Sequence, residues 1–409
     1  MSSQRYVSGM DALRERFLGM FPGREPTHAA RAPGRVNLIG EHTDYNDLPV
    51  FPMALRQGVR ILFRPREDNQ VHVGNSHPGF EATAFSLSRE IHKGPPGDWT
   101  NYLKAPCQAL HRRLGLERGF DGLVESNLPV ASGLSSSSAL VNAVGLALLH
   151  VNDGRLPALE MAEEMAEAER YTGTRGGGMD QAISLGAREG HASRIEFNPL
   201  RMFFRPVPRD WHFVVAHSLV RAEKSGTAQA VYNQRRQECE EALARVGPLF
   251  PNEDGSPASY PDLVDRVPLA EVLAGAEATL SPVLLKRFRH VLTEAHRVYE
   301  AEGAMERRDI LTFGILMDAS HQSLVEDYEV SSRELDRLVS LARGAGAAGA
   351  RLTGAGFGGS VVALVSPHRL DRVLGRLRDG YYRDRDAPVA LEQALFVAEA
   401  ASGAAVETI

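Results

Sequence analysis

The chain has 409 residues and a mass of 44.6 kDa, a length that predicts about two or three domains. Its composition of 43% hydrophobic and 24% charged residues is typical of globular proteins and excludes collagen-like, coiled-coil and broadly disordered chains. The net charge of −6 argues against general binding to nucleic acid, and two cysteines that form no CxxC pair, Cys107 and Cys239, argue against a disulfide framework or a thiolate zinc site. Because no signal-peptide pattern is found and the longest apolar run, residues 140–151, is far shorter than the roughly 20 residues of a membrane span, we expect a cytoplasmic protein with no membrane partner.

The first half of the chain predicts a mixture of strands and helices. A turn is expected at Pro33-Gly34, where two turn-favouring residues stand together, and a glycine-rich loop is expected at residues 171–179. Strands are predicted from short apolar runs at residues 36–39, 59–64, 71–73 and 122–125. Helices are predicted at residues 11–20, 139–150 and 157–171.

The second half predicts more helix than strand. Helices are expected at residues 227–246, 269–274, 282–302, 308–318 and 333–343, and strands at residues 213–216 and 361–365. Residues 247–265 are rich in Pro, Gly, Asp and Ser and are expected to form a loop. A domain boundary is predicted near residues 206–211, which divides the chain into residues 1–208 and 209–409.

Residues 129–139, PVASGLSSSSA, place glycine and serine directly before a long apolar helix. Backbone N–H groups at a helix N-terminus are unpaired and the helix dipole is positive there, so this segment suits a phosphate chain. The serine hydroxyls can bind phosphate oxygens or Mg²⁺, whereas the lysine of the P-loop pattern is absent. A serine-rich helix cap is the structural alternative, but four consecutive serines exceed what a cap needs.

Residues 354–359, GAGFGG, match the dinucleotide-binding pattern G-x-G-x-x-G in letters. In that pattern the loop follows a strand and opens a helix, whereas here a predicted strand follows the glycines. The dinucleotide interpretation therefore fails. The two remaining interpretations are a glycine loop close to a ligand of the other domain and a tight turn without a ligand.

Two polar segments are candidates for a binding and catalytic site. The first places four side chains directly after a predicted strand, namely Arg35, Glu41, His42 and Asp44. Because carboxylates accept several hydroxyl protons, this cluster suits a hydroxyl-rich ligand, with a solvated loop holding a local ion pair as the alternative. In the second, Asp180 directly follows the glycine-rich loop. It is either a helix N-cap or, if a cation and a substrate hydroxyl lie nearby, a general base.

Together these segments resemble the GHMP small-molecule kinases, in particular their galactokinase branch. The most specific match is GRVNLIGEHTDYN, which is similar to the galactokinase signature over thirteen residues without a gap. PVASGLSSSS resembles the ATP loop of the family, GGMDQ the segment that carries its catalytic aspartate, and LTGAGFGGS its third motif. Further similarity in WTNY at residues 99–102 and in residues 320–339 extends the resemblance over about residues 10–365.

The resemblance implies an α+β fold of two domains, with a ribosomal-protein-S5-like N-terminal domain, a ferredoxin-like C-terminal domain and the active site between them. The implied reaction is the ATP-dependent phosphorylation of the anomeric hydroxyl of galactose, which gives galactose 1-phosphate and ADP. The implied ligands are the sugar, ATP and Mg²⁺, with no nucleic acid. The implied protein is a monomer or a weak homo-oligomer.

The resemblance also implies roles for individual residues. Asp180 would be the general base beside the anomeric hydroxyl, and Arg35 would keep Asp180 ionised and stabilise charge on the transferring phosphoryl group. The residues implied to bind the sugar are Glu41, His42, Asp44, Gly177 and Tyr232. Those implied to bind ATP are Ser132, Gly133, Leu134, Ser135, Ser136, Ser137, Gly354 and Gly356. The residues implied to bind Mg²⁺ are Ser137 and Glu169.

The sequence departs from the common bacterial pattern in ways that bear on the sugar. Ala131 stands where many family members have glycine, and ERYTGTRGGGMDQAIS at residues 169–184 is similar to fungal-type galactokinases and N-acetylgalactosamine kinases. Residues 220–231, including Lys224, lengthen the segment before Tyr232, as in the fungal type. The alternatives are therefore an N-acetylgalactosamine 1-kinase or another sugar 1-kinase, and a non-catalytic galactokinase-like sugar sensor. The intact serine motif favours an enzyme, and kinases of the homoserine and mevalonate types lack the GEHTDYN segment.

Overall fold

The computed structural model describes residues 9–129, 131–173, 176–220, 227–385 and 389–409. Its strands, in chain order, are β1 (His28–Asn37), β2 (Pro52–Pro65), β3 (Gln70–Asn75), β4 (Thr83–Ser86), β5 (Phe120–Ser126), β6 (His191–Glu196), β7 (Arg201–Pro206), β8 (His212–His217), β9 (Gly349–Thr353), β10 (Ser360–Val365), β11 (Leu395–Ala398) and β12 (Ala405–Thr408). Its α-helices are α1 (Met10–Met20), α2 (Asn101–Leu114), α3 (Ser136–Val151), α4 (Ala158–Glu169), α5 (Met179–Gly186), α6 (Thr227–Val246), α7 (Tyr260–Arg266), α8 (Leu269–Thr279), α9 (Pro282–Glu306), α10 (Ile310–Glu326), α11 (Arg333–Gly344), α12 (Leu370–Leu377) and α13 (Leu391–Ala394).

A six-stranded sheet organises the first half of the chain. Its strand order is β12-β1-β2-β5-β3-β4, and its pairs are antiparallel except for β3 and β5. Helices α3 and α5 pack against β1 and β2, while α2 and α4 pack on α3. Twelve of the sixteen residues of α3 are buried. The apolar run therefore forms the buried helix that the sequence predicts.

A four-stranded antiparallel sheet organises the second half, with the order β11-β8-β10-β9. Helices α10 and α11 pack against β9, and the long helix α9 packs on α6 and α10. The first strand of this sheet in the chain, β8, begins at His212. The last strand of the chain, β12, belongs to the six-stranded sheet instead. It pairs with β1, and His28 lies opposite Thr408. The C-terminal end of the chain therefore completes the first sheet.

Apolar side chains from both halves meet in one core cluster between the sheets. Phe51 follows the first strand, Trp211 and Phe213 belong to the second half, and all three surround Phe313 of α10. The Phe313 ring centroid lies 5.2 Å from Trp211, 6.1 Å from Phe213 and 6.4 Å from Phe51. Because this core is shared, the segment that follows β1 is held between the two halves.

The prediction of a turn at Pro33-Gly34 is wrong, because β1 continues through both residues. Pro33 pairs with Gly58 and Arg35 pairs with Ala54, so the pairing of β1 with β2 shifts register here and the extra residues lie on β2. A Cβ on Gly34 would lie 2.6 Å from the carbonyl oxygen of Leu134. The missing side chain thus lets residues 131–138, the serine loop, approach the strand, and Arg35 N donates to the Leu134 carbonyl at 3.1 Å.

Two further segments differ from the predictions. Residues 247–265 are not simply a loop, because helix α7 begins at Tyr260 after a capping box between Ser259 and Asp262. No element was predicted over residues 101–114, where α2 forms with Pro106 inside it. The other predicted helices and strands form, although their ends differ. The strand expected at residues 36–39 ends at Asn37, and α10 continues to Glu326.

Within the described part of the chain, every helix falls short of the length and apolar character that crossing a membrane requires. Residues 174, 175 and 221–226, which include Lys224 of the lengthened segment, lie outside the described residues.

Candidate active site

The candidate functional side chains lie around Arg35 of strand β1. Arg35 Nε donates to Asp180 Oδ1 at 2.8 Å, and Arg35 Nη1 donates to the Gly133 carbonyl at 2.5 Å. The side chain of Arg35 is 4% exposed and that of Asp180 is 13% exposed, so solvent screens this ion pair weakly. Asp180 also lies in the first turn of α5, where the helix dipole favours a carboxylate. The structure thus brings the two predicted catalytic residues together and joins them to the serine loop.

The serine loop turns through alternating left-handed residues. Ala131, Gly133 and Ser135 have φ angles of 53°, 75° and 62°. Alternation of this kind is typical of loops whose backbone N–H groups converge on an anion. Because Ala131 carries a Cβ where the resemblance implies glycine, its left-handed conformation costs about 1–2 kcal/mol. The chain keeps this conformation despite the cost, which indicates that the surrounding contacts hold the loop in shape.

The serines of the loop differ in their surroundings. Ser136 and Ser137 are partly exposed in the first turn of α3. Ser132 and Ser135 are buried, and their hydroxyl groups have no hydrogen-bond partner among the residues that the structure describes. A buried hydroxyl without a partner is unfavourable, so a ligand oxygen that reaches these groups would restore a lost hydrogen bond.

Residues 354–359, the glycine loop, pack backbone to backbone on the serine loop. A Cβ on Gly354, whose φ is 89°, would lie 2.6 Å from the carbonyl oxygen of Gly133. Conversely, a Cβ on Gly133 would lie 3.0 Å from the carbonyl oxygen of Thr353. Gly356 packs elsewhere, since its Cβ would lie 2.3 Å from the carbonyl oxygen of Val330. Close contact between loops, rather than a dinucleotide, therefore accounts for these glycines.

A cavity opens beside Asp180. The predicted site residues that line it are Arg35, Glu41, His42, Asp44, Glu169, Gly177, Asp180, Tyr232 and Gly354. The other lining residues, to which the sequence analysis assigned no individual role, are Ser138, Ala166, Gly176, Gly178, Met179, Gln181 and Ala355. The remaining predicted ATP-binding residues, Gly356 and residues 132–137, are not part of the lining of this cavity. The cavity thus unites the predicted catalytic and sugar-binding residues, with the serine loop at its edge.

One wall of the cavity is a close contact between two segments. Asp44 Oδ2 accepts a hydrogen bond from Gly177 N at 3.2 Å, and a Cβ on Gly177 would lie only 2.3 Å from the backbone carbonyl carbon of Asp44. Burial raises the pKa of the Asp44 carboxyl to about 6, and the neighbouring carboxylates of Asp180 and Glu41 raise it too. Asp44 therefore changes its charge at a pH much closer to neutrality than an ordinary aspartate does.

Groups of the second half hold Glu41 in place. Glu41 Oε1 accepts a hydrogen bond from Gly354 N at 2.7 Å and lies 3.5 Å from an Nη atom of Arg351. The Glu294 carboxylate of α9 accepts from the backbone N–H groups of Gly40 and Glu41 at 2.9 and 3.3 Å. Sequence reasoning missed Arg351 and Glu294. The sequence signal for Arg351 was a charged residue in the short segment that leads into the glycine loop. The structure shows that this arginine is fully buried, which requires partners for its charge.

Ser138 connects the base to a second acid. Its hydroxyl donates to Glu169 Oε2 at 2.7 Å and lies 3.4 Å from Asp180 Oδ2. Gln181 Nε2 also donates to Glu169 Oε2. The serine that lies beside Glu169 is thus one residue beyond Ser137, the predicted metal ligand. Sequence reasoning assigned no role to Ser138 or Gln181. The available signal for Ser138 was the run of four serines, which places several hydroxyl groups around the first turn of α3.

Aromatic rings pack together at the cavity, whose lining includes His42 and Tyr232. The His42 ring centroid lies 5.7 Å from that of Tyr232, and the Tyr45 and Tyr232 rings meet edge to face at 5.5 Å. Burial, with His290 and Arg351 nearby, lowers the pKa of His42 well below its ordinary value. Burial and the Asp44 carboxylate raise the pKa of Tyr232. Both rings are therefore neutral near pH 7, and they provide hydrogen-bonding groups without adding charge.

This arrangement combines a proton acceptor, an adjacent cation and a loop suited to phosphate. Such positioning and electrostatic stabilisation are what phosphoryl transfer to a hydroxyl group requires. Among the described residues, no group of three or more His, Cys, Asp and Glu side chains forms a metal site.

Family comparisons agree with this chemistry. Residues 15–65 match the galactose-binding signature of galactokinases, residues 101–187 match the GHMP kinase N-terminal domain, and residues 301–383 match the GHMP kinase C-terminal domain. The predicted two-domain α+β GHMP kinase fold is confirmed.

The chain is similar to named proteins over most of its length. It is 41% identical to a galactokinase of Chloroflexus aurantiacus over 361 residues, which cover 88% of this chain and 89% of the relative. It is 41% identical to a galactokinase of Chloroflexus aggregans over 377 residues, which cover 92% of each. The structure matches Lactococcus lactis galactokinase complexed with galactose at a TM-score of 0.85 and 32% identity, covering 97% of this chain and 99% of that one. Methanococcus jannaschii mevalonate kinase, at 18% identity, a TM-score of 0.63 and coverage of 92% and 99%, shares the fold.

The contact between Gly177 and Asp44 predicts the effect of a single methyl group. Gly177→Ala should destabilise the protein by about 1–3 kcal/mol, because the new Cβ would overlap backbone atoms that cannot move aside freely. Gly176→Ala is the control, since a Cβ there has no atom within 4 Å; its effect should stay within about 0.5 kcal/mol. Urea unfolding measures both. Equal stability of the two variants would contradict the close contact.

Proposed function

The chain belongs to the galactokinase branch of the GHMP kinases, and we propose that it transfers the γ-phosphoryl group of ATP to the anomeric hydroxyl of galactose. The products are galactose 1-phosphate and ADP. One observation carries the proposal: Arg35 holds Asp180 at the border between the polar cavity and the serine loop. A sugar in the cavity and a triphosphate at the loop would meet at this carboxylate.

Asp180 acts as the general base. It takes the proton of the anomeric hydroxyl as the sugar oxygen forms its bond to the γ-phosphorus. The bond between that phosphorus and the bridging oxygen breaks, and the electron pair leaves with ADP. Arg35 keeps Asp180 oriented and places a positive charge beside the oxygens of the phosphoryl group, where negative charge is spread in the transition state. Catalysis therefore rests on alignment and electrostatics.

The cavity binds the sugar through its acids and aromatic residues. Glu41 and Asp44 accept hydrogen bonds from sugar hydroxyls. Glu294 accepts from the backbone N–H groups of Gly40 and Glu41, and Gly177 N donates to the Asp44 carboxylate. Tyr232 and His42 also line the cavity and offer neutral polar groups. A sugar with several hydroxyl groups matches this combination of acceptors and neutral groups.

The serine loop binds the triphosphate. Ser132 to Ser137 provide backbone N–H groups and hydroxyls, and Gly354 allows the glycine loop to approach them closely. Support comes from the left-handed alternation in the loop and from the buried hydroxyls of Ser132 and Ser135.

Ser137 and Glu169 would hold Mg²⁺ together with phosphate oxygens of ATP. Mg²⁺ prefers oxygen ligands and usually binds through one or two carboxylates plus substrate phosphates. The residues present fit this requirement, since the Glu169 carboxylate lies with serine hydroxyls at the start of α3 and accepts a hydrogen bond from Ser138 at 2.7 Å. When bound, the ion would neutralise phosphate charge that Arg35 alone cannot balance.

A panel of sugars tests the function. With Mg-ATP and purified protein, ADP release should be strong with galactose and weak with N-acetylgalactosamine, glucose, arabinose, galacturonate or no sugar. A preference for N-acetylgalactosamine or another sugar would keep the chemistry and change the substrate. Sugar binding without any ADP release would instead support a sugar sensor and contradict the kinase.

The base is tested by Asp180→Asn, which removes the proton acceptor but keeps the shape of the side chain. We expect kcat to fall by about 10²- to 10⁴-fold, with sugar and ATP binding retained. Asp121→Asn is a matched control, because Asp121 is a buried aspartate paired with Arg64 and Arg66 outside the cavity. Its stability should fall while kcat stays near wild type. Near-normal turnover of Asp180→Asn would exclude Asp180 as the base.

The raised pKa of Asp44 predicts how sugar binding depends on pH. The ionised carboxylate accepts hydroxyl protons, so galactose affinity should fall as the pH drops through about 6, where Asp44 becomes protonated in the free protein. Calorimetric titration with galactose in the absence of ATP, from pH 5 to 8, measures this. Asp180→Asn should keep an acid limb and Asp44→Asn should lose it. An unchanged limb in Asp44→Asn would assign it to another group.

A further inference from the structure

A chain of buried polar side chains runs from the cavity into the second half of the protein. His42 Nδ1 lies 2.9 Å from the Tyr45 hydroxyl, which lies 2.6 Å from the Tyr328 hydroxyl. The Tyr328 hydroxyl in turn lies 3.2 Å from Cys239 Sγ. All four residues are buried, with relative exposures between 0% and 7%. The proposed catalytic steps use none of the last three, so the chain calls for another explanation.

His42 is the member of this chain that reaches the cavity. Its backbone is left-handed, with φ of 64°, which is unusual for a residue with a side chain and is characteristic of functional sites. The centroid of its ring lies 4.6 Å from that of Tyr328, with the two rings tilted, and the Tyr328 centroid lies 4.5 Å from that of His290. Because Nδ1 is engaged by Tyr45, only Nε2 is available to a ligand. Nε2 is buried, and no hydrogen-bond partner for it is found among the described residues.

The proton on a neutral histidine occupies one nitrogen, and the partner chain decides which one. In one direction, the Cys239 thiol donates to Tyr328, Tyr328 to Tyr45, and Tyr45 to His42 Nδ1. In the other direction every bond is reversed, and the chain ends on the thiol sulfur as acceptor. A phenol is a good donor, an imidazole nitrogen is a good acceptor, and a thiol is weak in both roles. The first direction therefore contains the strongest bond, from phenol to imidazole. In this direction the hydrogen of the neutral His42 ring lies on Nε2, the nitrogen that does not face the Tyr45 hydroxyl.

A donor at this position complements the rest of the cavity. The ionised carboxylates of Glu41, Asp44 and Asp180 only accept hydrogen bonds. A sugar hydroxyl that donates a hydrogen bond to one of these carboxylates still has lone pairs that can accept a hydrogen bond. His42 Nε2–H would supply this donor without a positive charge that would compete with Arg35 for the acids.

We propose that the hydroxyl groups of Tyr45 and Tyr328 are positioning groups that hold His42 as its Nε2–H tautomer, so that His42 donates a hydrogen bond to a hydroxyl of the sugar. The inference deepens the proposed function and rests on it for the identity of the sugar. It assigns a role to Tyr328, which lies just after α10 in the segment of residues 320–339 that has no other assigned task.

The tautomer can be measured without turnover. Two-bond ¹H–¹⁵N spectra of protein labelled at histidine distinguish Nε2–H from Nδ1–H rings, and the His42 signal is identified by its loss in His42→Gln. The wild type should show the Nε2–H pattern for His42, and Tyr45→Phe should show a mixture of both tautomers. An Nδ1–H pattern in the wild type would overturn the proposal, whatever the activity measurements show.

Sugar kinetics test whether the chain matters for recognition. Tyr45→Phe should raise the KM for galactose by about 3- to 10-fold, the equivalent of one lost hydrogen bond, while kcat and the KM for ATP stay within about twofold. Tyr328→Phe keeps the aromatic ring beside His42 and should raise the KM for galactose less than Tyr45→Phe does. Because the two hydroxyls act in one chain, the double variant should be no worse than Tyr45→Phe alone.

Tyr260→Phe is the matched control. Its hydroxyl is also buried and donates to the Cys239 carbonyl at 2.9 Å, but it has no link to His42 in the structure. It should lower stability without changing the His42 tautomer or the KM for galactose. For the monodeoxygalactose that lacks the hydroxyl bound by His42, Tyr45→Phe should cause no further rise in KM. An equal rise for every deoxygalactose, or the same KM change in Tyr260→Phe, would show a general structural effect and refute the positioning role.

Discussion

The guanidinium of Arg35 hydrogen-bonds the Asp180 carboxylate and the Gly133 carbonyl at the same time. Strand β1 brings the residue to this point, and the missing side chain of Gly34 leaves room for the serine loop beside the strand. The strand, the loop and helix α5 therefore meet at a single cation. If any of the three moved, the base, the phosphate loop and the cavity would lose their common geometry.

The site concentrates acids, and the structure offsets their repulsion in several ways. Asp180 has Arg35, and Glu41 has Arg351 and a backbone N–H of the glycine loop. Asp44 accepts a backbone hydrogen bond from Gly177 N, but burial and the carboxylates of Asp180 and Glu41 outweigh the backbone hydrogen bonds and raise its pKa. Asp44 therefore changes its charge near pH 6, whereas an ordinary aspartate is already ionised there. The neutral rings of His42 and Tyr232 add no further charge to the cavity.

The sequence predicted the fold class through its resemblance to a known family, and it predicted most helices and strands from local patterns. The apolar run of α3, the polar GEHTDYN segment and the serines before α3 are local patterns whose physical meaning does not depend on distant residues. The prediction failed at Pro33-Gly34, because a proline and a glycine favour a turn in isolation but can also stand in a strand where its pairing is irregular and a neighbouring loop packs closely. It also missed α7, where a local capping box was present but lay within a loop-like composition.

What the sequence determined by itself was the set of chemical groups: a glycine- and serine-rich helix start, a base candidate after glycines, and a polar segment after a strand. Only the tertiary structure decided which groups meet. Ser138 donates to Glu169, Arg351 and Glu294 hold the Glu41 segment, and Tyr328 reaches His42 through Tyr45. These contacts join residues far apart in the chain, and their distances follow from how the two sheets pack on a shared core, which no local pattern encodes.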